Sequence, residues 1–118
     1  MPHIIVEHSK NLKGLHYQNM FAGLHQLLSK YAAIDSCKSR VQIIDNFLVG
    51  TDPDQSGFFH INLLLMPGRS ETLKNEISEK ILEYVTPAVN EVVKNKNLRI
   101  SLSISVNDLQ CYLKKIIH

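Results

Sequence analysis

At 118 residues, with 44% hydrophobic and 20% charged side chains, the chain has the size and composition of one globular domain spanning 1–118, able to bury roughly two thirds of its unfolded surface. Thirteen basic residues against eleven acidic ones, a net charge of +2, are too evenly balanced for a nucleic-acid footprint, and no basic run carries interleaved aromatics. No apolar run approaches the ~20 residues needed to cross a bilayer, no signal-like segment opens the chain, and two cysteines do not make a secreted disulfide framework, so a soluble, cytoplasmic protein that binds neither nucleic acid nor membrane is expected.

The run from Pro2 to Val6 is short, apolar and rich in β-branched residues, which predicts a first strand. After polar punctuation from Lys10 to Gly14, Tyr17, Met20, Phe21, Leu24, Leu27, Leu28 and Tyr31 recur at spacings of three and four, the stripe of an amphipathic helix. Lys38-Ser39-Arg40-Val41 opens a second strand, in which Val41, Ile43, Phe47 and Val49 alternate with Gln42, Ile44, Asn46 and Leu48. Residues Gly50 to Gly57 are dense in turn formers and predict a loop. Phe58 to Met66 reads as a third strand, stopped by Pro67-Gly68.

A second helix is predicted from Ser70, with Glu71 at the positive end of its dipole and Ile77, Ile81, Tyr84, Val85, Ala88 and Val92 on its buried face. Pro87 falls inside it, where a missing N–H and a crowded turn favour a kink. Ile100 to Val106 alternates without a fault and reads as a fourth strand, and Leu109, Tyr112, Leu113, Ile116 and Ile117 suggest a short terminal helix.

Strand, helix, strand, loop, strand, helix, strand is a βαβ unit written twice. Each unit favours a parallel pair, giving an α+β fold with one four-stranded sheet and both helices on one face. The other face, carrying His60, Asn62 and Leu64 on the third strand and Ser101, Ser103 and Ser105 on the fourth, is mixed in polarity and needs a partner.

Six histidines contain no compact metal-binding motif, and no Gly-rich phosphate loop occurs. Cys37 lacks an evident base and Cys111 falls in the amphipathic terminal segment, so both read as inert. What remains is Pro2 with Lys38, Arg40 and Arg69, three cations at strand ends. Singly, Met-Pro at a chain start is an edge-strand opening and each cation is a solvated surface group. Together they make chemical sense, because removal of Met1 leaves Pro2 with a free secondary amine. An α-amino group has a pKa of about 7.7–8.0, and neighbouring cations with partial desolvation favour its neutral, basic form.

Pro2-His3-Ile4-Ile5-Val6-Glu7-His8-Ser9, Lys38-Ser39-Arg40-Val41 and Gly68-Arg69-Ser70 resemble, in order and spacing, the motifs of the tautomerase superfamily, and within it those of the 5-carboxymethyl-2-hydroxymuconate isomerases. The resemblance runs from Pro2 to about Val106. It implies a tautomerase-like trimeric barrel with sheets inward and helices outward, and a cofactor-independent isomerase acting on a dienol with several carboxylates from the breakdown of aromatic acids. In that reading Pro2 is the catalytic base, no cofactor or metal is needed, and Lys38, Arg40 and Arg69 bind substrate. Arg69 and Lys38 are expected to be the leading carboxylate clamps and Arg40 the third, on the ground that alternate strand positions diverge. Where the family is expected to have Arg-Ser-Arg, this chain has Lys38-Ser39-Arg40. A tautomerase of another enol acid, or a non-catalytic trimer of the same fold, is the competing expectation.

Overall fold

A computed structural model describes residues 1–47 and 56–118. The elements run β1 (His3–Ser9), α1 (Tyr17–Ala32), β2 (Lys38–Ile44), β3 (Gly57–Leu65), α2 (Glu71–Val93) and β4 (Ile100–Asp108). The strands form one sheet in the order β2-β1-β3-β4. The β1/β2 and β3/β4 pairs are parallel, and β1 and β3 meet antiparallel in the middle. The chain is thus the expected pair of βαβ units, joined through its two central strands.

Period-two alternation explains the layering. On β3, Gly57, Phe59, Ile61, Leu63 and Leu65 are buried while the residues between them are only partly so. Ile4 and Val6 of β1 join Phe59, Ile61, Leu63 and Leu65 in the core. Met20, Leu24 and Leu28 of α1 and Ile77, Ile81, Val85 and Val89 of α2 complete it. Each fully buried Leu, Ile or Phe contributes about 1.5–3 kcal/mol, so this layer between helices and sheet is the main source of stability.

The α2 start follows the sequence: Ser70 is the N-cap, its hydroxyl accepting from the Leu73 amide at 3.2 Å, with Glu71 in the first turn. The helix runs unbroken through Pro87, and the Thr86 hydroxyl donates to the Leu82 carbonyl at 2.5 Å. Its buried stripe differs from the expected one. Tyr84 and Ala88 are exposed and Val89 is buried, because the stripe follows a ridge of every fourth residue.

Two other expectations fail. The second strand ends at Ile44, and Phe47 instead sets its ring edge-on to Phe58, with centroids 5.7 Å apart. Leu48 and Val49, together with the predicted loop as far as Gln55, lie outside the described residues. No helix forms over 109–118, where Leu113 is 95% and Ile117 86% exposed. A segment this short is marginal as an isolated helix, and among the described residues Leu113, Ile116 and Ile117 stay exposed. Among the described residues, no helix is long and apolar enough to cross a membrane.

The sheet face away from the helices carries a polar network. His60 Nδ1 and Ser103 Oγ share a 2.7 Å hydrogen bond, Ser105 Oγ donates to Asn62 Oδ1 at 3.4 Å, and Asn107 Nδ2 donates to the same oxygen at 3.3 Å. The pairs His60↔Ser103 and Asn62↔Ser105 are direct neighbours in the β3/β4 register. This is the mixed face anticipated from the sequence.

Candidate active site

The strand order brings four ends to one edge of the sheet. β1 and β2 start there, being parallel, and β3 and β4 finish there, being antiparallel to β1. Pro2, Lys38, the turn from Met66 to Arg69 and the tail after Asp108 therefore share one neighbourhood. The Lys38 amide donates to the Pro2 carbonyl at 2.9 Å, fixing the first residues of β1 against β2.

In the register, His3 faces Lys38 and Ile5 faces Arg40. Lys38 and Arg40 are two residues apart, so they lie on the same face, with Ser39 on the other. Ser39 Oγ bonds the Nε2 of His25 on α1 at 2.5 Å, which identifies its face as the helix side. The ranking that set Arg40 apart from Lys38 is thus corrected: the two exposed cations project together, beside His3 and Ile5. A small depression of about 220 Å³ is lined by His3, Ile4, Ile5, Lys38, Ser39 and Arg40.

Arg69 stands on the opposite side of the amino terminus. Gly68 adopts a φ of +119°, open to glycine and strained for other residues, and turns the chain so that Arg69 Nη1 donates to the Met66 carbonyl at 3.4 Å. Met66 Sδ in turn lies 3.4 Å from the Met1 amine. With Met1 in place the Pro2 nitrogen is an amide, and its removal is what creates a basic amine between these groups.

The electrostatics of this edge are positive. The His3 imidazole is held below its ordinary pKa of 6.5, first by burial and then by the amino terminus, Arg40, Lys38 and Lys114, so it is chiefly neutral at pH 7. Lys114, in the tail, carried no signal in the sequence pattern, because it reaches the site through a turn after β4 and not along a strand. Cys37 is close by but inert: burial pushes its thiol up to about 11, and it donates weakly to the Lys38 carbonyl at 3.6 Å.

His8 has a structural role. His8 is 1% exposed; its Nδ1 lies 2.7 Å from the Ser9 carbonyl and must donate, which leaves Nε2 to accept from the Tyr17 hydroxyl at 2.6 Å. Among the described residues no three His, Cys, Asp or Glu side chains gather as a metal site. Larger depressions lie elsewhere. One of about 570 Å³ sits between α1 and α2, beside Met20, Tyr84 and Val92, and one of about 540 Å³ lies beside His8, Lys10 and Tyr17, near the end of β1 opposite Pro2.

The sequence model of the family described as 5-carboxymethyl-2-hydroxymuconate isomerase matches residues 2–118. A 5-carboxymethyl-2-hydroxymuconate isomerase from Deinococcus radiodurans R1 superposes with a TM-score of 0.80 at 20% identity, over 97% of this chain and 88% of that one. A 5-carboxymethyl-2-hydroxymuconate delta-isomerase gives 0.80 at 18% identity, over 98% and 88%. A fused 4-OT symmetric trimer gives 0.62 at 14%, over 91% and 86%. No curated protein sequence matches.

Proposed function

This chain belongs to the 5-carboxymethyl-2-hydroxymuconate isomerase family and has the tautomerase-like fold, and from that premise we propose that it moves a proton within a carboxylated dienol to give the conjugated ketone, with Pro2, freed by loss of Met1, as both base and acid. The neutral prolyl nitrogen takes the proton of the 2-hydroxyl, electron density moves along the diene, and the prolinium returns a proton to a carbon further on. Product and substrate are isomers, so no redox partner is consumed and no cofactor is called for. Lys38, Arg40 and Arg69 hold the carboxylates and stabilise the dienolate between the two transfers.

The observation that carries this reading is the cationic edge itself. Lys38 and Arg40 share a face beside His3, the Lys38 amide is bonded to Pro2, and burial together with the surrounding cations holds the His3 imidazole below its ordinary pKa. Neighbouring cations disfavour the charged form of an amine, the condition that a neutral prolyl base requires. The polar sheet face suits burial against copies of the same chain, and we propose a homotrimer; the structurally similar fused 4-OT protein is described as a symmetric trimer. The test is turnover of a polycarboxylate 2-hydroxydiene, followed by its ultraviolet absorbance, on protein shown by mass to lack Met1 and by sedimentation to be trimeric. Conversion abolished by blocking the Pro2 amine supports the reading; conversion indifferent to that block contradicts it.

A further inference from the structure

The chain beyond β4 returns to the site. His3 of β1 faces Leu64 of β3, and Leu64 faces Asn107 of β4, so two strand spacings, roughly 10 Å, separate Asn107 from His3. The next residues close that gap by identifiable steps. Asp108 is held by Lys74 of α2 at 2.9 Å, and the Leu109 amide donates to the Leu65 carbonyl at 2.7 Å. Cys111 takes a left-handed φ of 52°, a conformation unfavourable for a residue with a Cβ, and turns the chain. Tyr112 then meets His3 edge-on, ring centroids 5.9 Å apart at 70°, an arrangement aromatic rings favour. The tail has crossed the end of β3 to reach β1.

Two residues beyond Tyr112, Lys114 adds to the positive field on His3. Lys114 is exposed, as are Leu113, Ile116 and Ile117 around it, so its ammonium is open to an incoming anion. We infer that the tail is a wall of the site, in which Tyr112 is a positioning residue that seats the tail on His3 and Lys114 is an anion-binding residue for a substrate carboxylate beyond those held by Lys38 and Arg40. The inference deepens the proposed function and rests on it for the identity of the anion. An ammonium suits this place, since a compact charge on a flexible stem tolerates a ligand whose distal carboxylate moves as the double bonds shift.

Binding of propane-1,2,3-tricarboxylate, an unreactive probe with three carboxylates, to the full-length protein at low ionic strength tests this without any turnover. By calorimetry, Lys114→Ala should weaken binding about tenfold, Lys114→Arg should restore it, and Lys115→Ala should leave it unchanged. Tyr112→Ala should weaken it as well, and Tyr112→Phe, which keeps the ring, should not. No binding by the wild type, no loss in Lys114→Ala, or an equal loss in Lys115→Ala overturns the assignment of Lys114. Tyr112→Ala binding as the wild type does overturns the seating role. Failure of the isomerase reading shows separately, as dienol conversion that does not depend on the Pro2 amine.

Discussion

Arg40 gives the sharpest single-residue prediction, because the expectation from sequence sets it apart from Lys38 whereas the sheet register puts the two on one face. Arg40→Gln removes one guanidinium and keeps a polar side chain of similar reach on an exposed strand position, so the fold is unaffected. If Arg40 grips a carboxylate, the loss is that of a charge-assisted hydrogen bond, about 1.5–3 kcal/mol. At 1.36 kcal/mol per decade this is roughly a ten- to hundred-and-fiftyfold fall in kcat/KM for the dienol. The same substitution has a second readout. Arg40 is among the charges that depress the His3 pKa, so its removal should raise that pKa, measurable by NMR titration of the imidazole. Steady-state kinetics within twofold of wild type, with the His3 shift present, would make Arg40 a field charge and refute its role as a clamp. Absence of both effects would refute its placement at the site.

Lys38→Arg should hold or improve kcat/KM for a polycarboxylate dienol, since a planar fork can make two parallel bonds to a carboxylate, and Lys38→Ala should lower it more for that substrate than for a monocarboxylate enol; equal effects on both would count against the clamp. Gly57→Ala should destabilise by about 1–3 kcal/mol in denaturant unfolding, because a Cβ there would overlap Ser9 Oγ and lie 2.9 Å from Asn11 Oδ1, disturbing the hydroxyl that accepts from the Phe58 amide at 3.1 Å; an unchanged midpoint would show that this corner yields freely. Since the folded His3 pKa lies below 6.5, the unfolded chain takes up the proton first as pH falls, so stability should decline as pH drops below 6.5 towards the folded value. His3→Phe should flatten that part of the profile, and an unaltered slope would locate the linkage elsewhere.

Much of this was legible because the physics is local. The faultless alternation from Ile100 to Val106, the three-four stripe from Tyr17, and Ser70 with Glu71 ahead of an apolar run each specify an element without tertiary help. Lys38 and Arg69 could be nominated because each borders a strand end. The relation of Lys38 to Arg40 was also present in the sequence, since positions two apart share a face. The tail was not. Its amphipathic pattern favours a helix, but helices this short depend on a surface to pack against, and among the described residues Leu113, Ile116 and Ile117 stay exposed. The turn at Cys111 that brings Tyr112 and Lys114 to His3 uses a positive φ at a residue with no preference for it, and no composition rule foretells that. The α2 stripe departs from its sequence expectation for a related reason, as only the crossing of helix and sheet decides between Val89 and its neighbours.

The central claim, that a free Pro2 amine is the base, is tested most directly by comparing two forms of the protein: one processed to begin at Pro2 and one carrying a non-cleavable residue before it, each verified by mass. The processed form should turn over the dienol with kcat/KM rising as pH passes upward through the amine pKa, and the extended form, whose Pro2 nitrogen is an amide, should lose activity by several orders of magnitude while keeping its fold and oligomeric state. Equal activity of the two forms would contradict the account.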